Sequence, residues 1–296
     1  MKKKSSLIIA LFLLVLTSKA GIYRHDREES QYTTLAAQPQ FDCVGQLWKG
    51  NEFHGSCVLV GGKYVLSAAH CFIESSYRPD TIVQGNQTII VNQPYDQHIG
   101  KASDYNVVYN GMRYQCKELK IYPSYMDTAT HDGLDVALLV LEEDVKDIKP
   151  ALMNSSFNEL HTDVTGVGYG VNGPADKPGE IGNAKKKLAG ENVIDSLGGY
   201  TLNDNQTVMF CDFDHPTDTG CNKMGSAVPR DLEYICGGGD SGGGLFRQTE
   251  NGWELIGICH GGGVNIQQLM KTGYYGQVMS WTRVSVFKNW IEENMK

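Results

Sequence analysis

Apolar and polar positions along this 296-residue chain fall into short runs broken by Gly and Asn, with one exception near the start. Leu7 to Leu16 is an unbroken apolar run of ten residues behind Met1-Lys2-Lys3-Lys4, and Thr17-Ser18-Lys19-Ala20 follows it. A basic start, an apolar core and a small residue before Gly21 predict a secretory signal peptide over residues 1–20. The run is too short to cross a bilayer. Residues 21–40 are polar and irregular and read as an N-terminal arm or propeptide. From Phe41 the short runs begin. Residues 43–48, 56–60 and 63–67 read as successive strands, with Gly61-Gly62 turning the last two into a hairpin. Residues 73–116 are polar and read as loops and short strands. Further strands are expected at 117–122, after Asp135, at 208–211, from Leu245 and at 253–259. Phe287, Trp290 and Ile291 share one helical face, so 285–296 reads as a terminal helix with Ser285 as its N-cap, packed on the second half of the fold.

The formal charge is −8. Without residues 1–20, which carry Lys2, Lys3, Lys4 and Lys19, it becomes −12. Such an acidic chain is a poor partner for nucleic acid or an anionic membrane, and no second run is long enough to span one. The eight cysteines all follow residue 20. An even number in an exported chain reads as disulfides, and with no C-x-x-C pair a structural zinc is not expected. No metal or cofactor is implied. Asn86, Asn154 and Asn205 fit the glycosylation pattern, a pattern that also arises by chance.

Candidate chemistry concentrates in Cys236-Gly-Gly-Gly-Asp-Ser-Gly-Gly-Gly-Leu-Phe246, where six glycines surround Asp240-Ser241. Glycines clustered between apolar strands mark unusual dihedrals or close backbone approach rather than a linker. The reading is a serine on a tight turn, with the N–H groups of Gly239 and Ser241 aimed at one point to receive a developing oxyanion. A serine nucleophile needs a base, and the base needs an orienting group. His70 ends the β-rich run 63–69, in a hairpin flanked by Cys57 and Cys71, which are close enough in sequence to staple it. Asp135 heads a strand too apolar to face solvent. A buried carboxylate requires a partner, and His70 is the natural one; Asp132 suits a turn cap.

Leu66-Ser-Ala-Ala-His-Cys71, Asp135-Val-Ala-Leu-Leu-Val140, Gly239-Asp-Ser-Gly-Gly243 and Trp281-Thr-Arg-Val284, in that order, resemble the chymotrypsin-like (trypsin-type) serine endopeptidases over about residues 41–296. The resemblance implies an all-β fold of two six-stranded antiparallel barrels with a C-terminal helix and the site in the cleft between them. The barrels would occupy about 41–150 and 151–284. It also implies His70 as general base, Asp135 as its orienting partner, Ser241 as nucleophile and Gly239 with Ser241 as oxyanion hole, which are the roles of the familiar triad template. Some features depart from the pattern. Residues 212 to about 230 form an insertion that Cys211 and Cys221 are placed to close. Cys236 lies one residue further from the serine than in most relatives, and Gly244 replaces a usual proline.

The position that is acidic in relatives cutting after Arg or Lys maps here to Tyr234 or Ile235. His260, Gly261 and Gly262 fall on the substrate-binding strand and Met279 on the opposite wall, so no strong Arg or Lys preference is expected unless Asp231 or Glu233 folds in. His260 either lines the pocket or lies beside Asp135, the second being favoured. The family's activating N-terminus pairs with the aspartate before the serine, here Asp240. No Arg-Ile-Val-Gly-Gly site is present, and Gly21-Ile22, freed by signal removal, is the candidate. The expectation is an exported (extracellular or periplasmic) monomeric serine endopeptidase acting on protein or peptide substrates through an acyl-enzyme and open to protein inhibitors. An inactive protease-like binding protein is the rival. An α/β-hydrolase esterase is disfavoured, because that fold orders its triad Ser, Asp, His on a strand–elbow–helix.

Overall fold

The computed structural model describes residues 21–84, 87–127, 133–182, 184–263 and 265–296. The expected signal peptide, Asn86 and Asp132 lie outside the described residues. Six strands in the first half, Val44–Lys49, Glu52–Gly61, Tyr64–Ser67, Tyr105–Tyr109, Met112–Ile121 and Ala137–Leu141, close into a barrel. Every pairing in it is antiparallel. Leu47, Val58, Val65, Val107 and Leu139 fill its interior and are fully buried. The second half is an antiparallel sheet that runs Leu188–Val193, Asp163–Gly168, Gly244–Thr249, Gly252–Gly263, Val278–Arg283, Asn205–Asp212, Ser196–Leu202, with the short strand Leu152–Met153 added in parallel to Gly252–Gly263. Val164, Met209, Leu245 and Ile256 are in its core. The molecule is all-β with a terminal helix, as the sequence led us to expect.

Three segments differ from the sequence reading. The polar region after His70 is not a set of short pieces: Ile73–Gln84 and Gln87–Ile99 form one long two-stranded ribbon that pairs only with itself. Ile73 at its base packs against the first barrel's core, and Tyr77 and Tyr95 stand exposed on it. The N-terminal arm is ordered. Ile22–Tyr23 is a strand between Gly173–Pro174 and Tyr234–Ile235, and Glu29–Ala36 is a helix with a reciprocal cap between Glu28 and Gln31. That helix buries only Tyr32 and Ala36, too little to show as periodicity.

The terminal helix spans Val284–Asn294, with Arg283 rather than Ser285 at its N-cap. Phe287 and Ile291 are buried as expected, in a cluster that runs from the first barrel to Phe246, Leu255 and Ile258 of the second sheet. Tyr122 packs edge-on against Phe287 and Trp290, with ring centroids at 5.0 and 5.5 Å. The helix therefore fastens one barrel to the other rather than covering the second alone.

Ser285 is drawn from the cap by a buried polar network. Its hydroxyl donates to Glu159 Oε1 at 2.6 Å, Arg283 Nη2 reaches Glu159 Oε2 at 2.6 Å, and Asn154 Nδ2 donates to Glu159 Oε1 at 2.9 Å. Asn154 is 1% exposed, so its match to the glycosylation pattern is a chance one in the folded protein. Glu159→Ala leaves Arg283 as an uncompensated buried charge and is expected to cost about 3–5 kcal/mol. Urea unfolding of wild type and variant checks this, and a loss below about 1 kcal/mol would show the network to be dispensable.

Candidate active site

His70 sits in the 3₁₀ turn Ala69–Phe72, directly after strand Tyr64–Ser67. Strand Ala137–Leu141 pairs with that strand, Ser67 opposite Ala137, which sets Asp135 beside the turn. Asp135 has no exposed surface. Its two oxygens are spoken for: Oδ1 accepts the backbone N–H of His70 at 2.8 Å, and Oδ2 faces His70 Nδ1 at 2.7 Å. On the other side of the ring His70 Nε2 lies 2.9 Å from Ser241 Oγ. The three side chains form one chain of hydrogen bonds across the two halves of the molecule. Burial disfavours the protonated imidazole, yet the adjoining Asp135 carboxylate outweighs it and holds the His70 pKa well above its ordinary value. Burial likewise pushes the Asp135 pKa up, and the His70 and His260 charges and hydrogen bonds reverse this, leaving it low.

The turn carrying Ser241 is held by glycines that accept no substitute. Gly242 has φ +82°, and a Cβ there would lie 2.0 Å from Ser67 Oγ and 2.3 Å from Ser56 O. Gly239 has φ +96°, with Phe53 and Gly170 against it. Neither the Gly239 nor the Ser241 N–H donates to another described residue, so both remain available to an oxyanion. Ser56 entered the sequence reading only as the head of a strand. It is buried on strand Glu52–Gly61, its N–H donates to Ser241 O at 2.9 Å, and its hydroxyl donates to Gly239 O at 2.8 Å. The first barrel thus grips the turn that the second sheet presents. Only the apolar context of Gly55-Ser56-Cys57 hinted at its burial.

Asp240 turns the opposite way from Ser241 and is buried. Its Oδ2 accepts from Gly21 N at 2.9 Å, the Tyr234 hydroxyl at 2.6 Å and Gly237 N at 3.3 Å. Gly170 N donates to Oδ1 at 2.9 Å. Gly21 is buried, and Ile22 beside it pairs with Ile235. Arg24 donates through Nη1 to Arg230 O, and the Tyr32 hydroxyl donates to Glu233 O. The arm is thereby fastened to the segment that precedes the serine turn.

A cavity of about 170 Å³ opens beside Ser241 and His70. Ile235, His260, Gly261, Gly262 and Met279 line it, as expected, together with Gln277, which the sequence reading passed over. Tyr234 does not line it: its hydroxyl is held by Asp240 beneath. Asp231 is exposed and paired with Arg27, and Glu233 is turned toward the N–H groups of Asp214 and Arg230, so no carboxylate of either enters. His260 meets both expectations at once, lining the cavity with Nε2 3.9 Å from Asp135 Oδ2. The expected Cys57–Cys71 bridge is not formed. All eight cysteines are buried thiols, Cys211 and Cys221 included, and Cys57 Sγ is turned to the Tyr109 hydroxyl at 3.6 Å. The hairpin is closed instead by its strand ladder.

The trypsin family model matches residues 33–291. Human transmembrane protease serine 11B is 25% identical over 256 residues, covering 82% of this chain and 50% of that protein. The chain spans about half the length of this curated relative. Among the described residues no helix is long and apolar enough to cross a membrane. The solved structure of neuropsin, a serine protease expressed in the limbic system of mouse brain, superposes with a TM-score of 0.57 at 18% identity. That match covers 88% of this chain and 97% of the neuropsin chain, and it speaks to the fold.

Because the Asp135 charge is what raises the His70 pKa, its removal must lower that pKa. Asp135→Asn is expected to move the acid limb of the kcat/KM profile to lower pH while cutting the maximum. An acid limb that stays in place, or moves upward, would contradict the assigned cause.

Proposed function

The chain belongs to the trypsin family of serine proteases, and on that premise we propose that it is an active, exported serine endopeptidase that works through an acyl-enzyme. One observation carries the reading: the unbroken line from Asp135 Oδ2 through His70 to Ser241 Oγ, with contacts of 2.7 and 2.9 Å. Ser241 attacks the scissile carbonyl while His70 Nε2 takes its proton. The Gly239 and Ser241 N–H groups receive the oxyanion. His70 then returns the proton to the leaving amine, and a water repeats the sequence to free the acid. Asp135 fixes the imidazole so that Nε2 is the acceptor, and it steadies the imidazolium that forms. Protein substrates follow from the family's fold. The rival reading is an inactive protease-like binding protein, and the contacts among Asp135, His70 and Ser241 favour hydrolysis over it.

Activation belongs to the same proposal. Cleavage after Ala20 converts the Gly21 nitrogen, already 2.9 Å from Asp240 Oδ2, into an ammonium on a buried carboxylate. Removal of the leader is then the activating step, and residues 21–40 stay as a working part of the protease.

Ser241→Ala and His70→Ala should each lower kcat on the order of 10⁶-fold, and Asp135→Ala about 10⁴-fold. Steady-state kinetics on a casein-derived peptide checks this, and losses under tenfold would refute the assignment. A mature chain that keeps Ala20 should lose roughly tenfold to a hundredfold in kcat/KM, since a hydrogen bond to a charged group contributes about 1.5–3 kcal/mol. Full activity of that extended chain would overturn the activation step.

A further inference from the structure

Helix Ile266–Thr272 follows closely on the strand that lines the substrate cavity, and it is turned the opposite way from an ordinary surface helix. Its polar residues hold it to the protein. Gln268 Nε2 donates to Tyr275 O at 2.7 Å, Thr272 Oγ1 donates to the same carbonyl at 3.2 Å, and the Asn265 side chain caps the helix on the Gln268 N–H at 3.1 Å. Ile266 and Met270 lie a turn apart on the opposite face, 61% and 82% exposed. A surface helix normally turns such a stripe inward. Large apolar side chains paired in solvent mark a surface for contact.

Two features point to what covers it. The helix is tied to the cavity, because the Asn265 backbone N–H donates at 2.9 Å to Oε1 of Gln277, a lining residue. The strand between cavity and helix also has an open edge. Gly261, Gly262 and Gly263 line the cavity and pair on one side with Ser280, Met279 and Val278. On the other side strand Gly244–Thr249 pairs only as far as Ile258, and no described strand continues the ladder. Three glycines place no side chain over that edge. An extended peptide is the partner such an edge accepts, because its backbone completes the ladder. Laid antiparallel, as every full-length neighbour in this sheet is, the peptide has its scissile end at Ser241 and its N-terminal residues at the helix.

We propose that Ile266 and Met270 form a distal substrate subsite for apolar side chains about four to six residues ahead of the scissile bond, where the chain, at about 3.3 Å per residue, has passed the three glycines. The proposal rests on the reading of Ser241 and His70 as the hydrolytic centre.

The test uses two decapeptides that differ only in their first three residues, all leucine or all serine. The shared seven come from a casein-derived peptide that is cut after its third residue. Leucine is expected to exceed serine by at least about tenfold in kcat/KM, through KM, the scale of partly burying two apolar side chains. The double variant Ile266→Ser, Met270→Ser should bring the leucine-to-serine ratio close to one; both side chains are exposed, so the fold does not depend on them. A wild-type ratio near one, or a ratio that survives in the double variant, would overturn the proposal. Fluorescence anisotropy of the same labelled peptides on Ser241→Ala separates this from the protease reading. If wild type cleaves neither peptide while the leucine one still binds at least about tenfold more tightly, and loses that margin with the two substitutions, the hydrolytic reading fails and the subsite stands. Equal binding overturns the subsite. Light scattering of Ser241→Ala alone should find a monomer; a dimer that the two substitutions dissolve would make a second copy the occupant and overturn the proposal.

Discussion

The buried carboxylate of Asp240 is the constraint on which the rest of the site depends. A charge with no exposed surface is tolerated only when its oxygens are fully bonded, and burial pushes its pKa up accordingly. Here the donors come from four separate places: Gly21 on the N-terminal strand, Gly170 after the first strand of the second sheet's edge pair, Tyr234 beneath the substrate cavity, and Gly237 in the serine turn itself. Satisfying one aspartate therefore docks the arm, seats the cavity floor and sets the turn. There is little room for error in this packing. A Cβ on Gly168 would lie 2.1 Å from Asp240 Oδ1, so the strand Asp163–Gly168 can pass the carboxylate only as glycine.

A second constraint is that neither half of the molecule holds the chemistry alone. His70 and Asp135 belong to the first barrel, and Ser241 belongs to a loop of the second. What aligns them is close packing of backbone on backbone at Ser56 and Gly242, with Ser56 bonding to both Gly239 and Ser241 carbonyls. The terminal helix adds a remote tie, because Phe287 and Ile291 bury in the cluster shared by the two halves while Arg283 and Ser285 anchor on Glu159. Association of the halves and assembly of the site are in this sense one event.

How much of this was legible in the residues depended on how local each feature is. The Asp240-Ser241 turn announced itself because glycine at consecutive positions has few other uses, and His70 and Asp135 each stood at the end of a strand whose apolar pattern was strong. The cavity residues His260, Gly261, Gly262 and Met279 followed from the resemblance to the chymotrypsin-like proteases, not from the residues alone. Gln277 was not legible: its burial and its fixed amide depend on Asn265, twelve positions away, and nothing nearby in sequence distinguishes it. Ser56 was missed for the same reason, since its partners lie 183 positions on. The arm helix escaped because it buries only Tyr32 and Ala36, too few to leave the periodic signature that burial imposes.

The account's central claim is that Ser241 is a nucleophile made competent by His70 and the docked N-terminus. Fluorophosphonate labelling of the exported protein, with the labelled residue and the mature N-terminus mapped by mass spectrometry in one sample, tests it most directly. The account predicts label on Ser241 in chains that begin at Gly21, and none in His70→Ala. Folded protein that stays unlabelled while beginning at Gly21, or label that Ser241 takes up equally without His70, would contradict it.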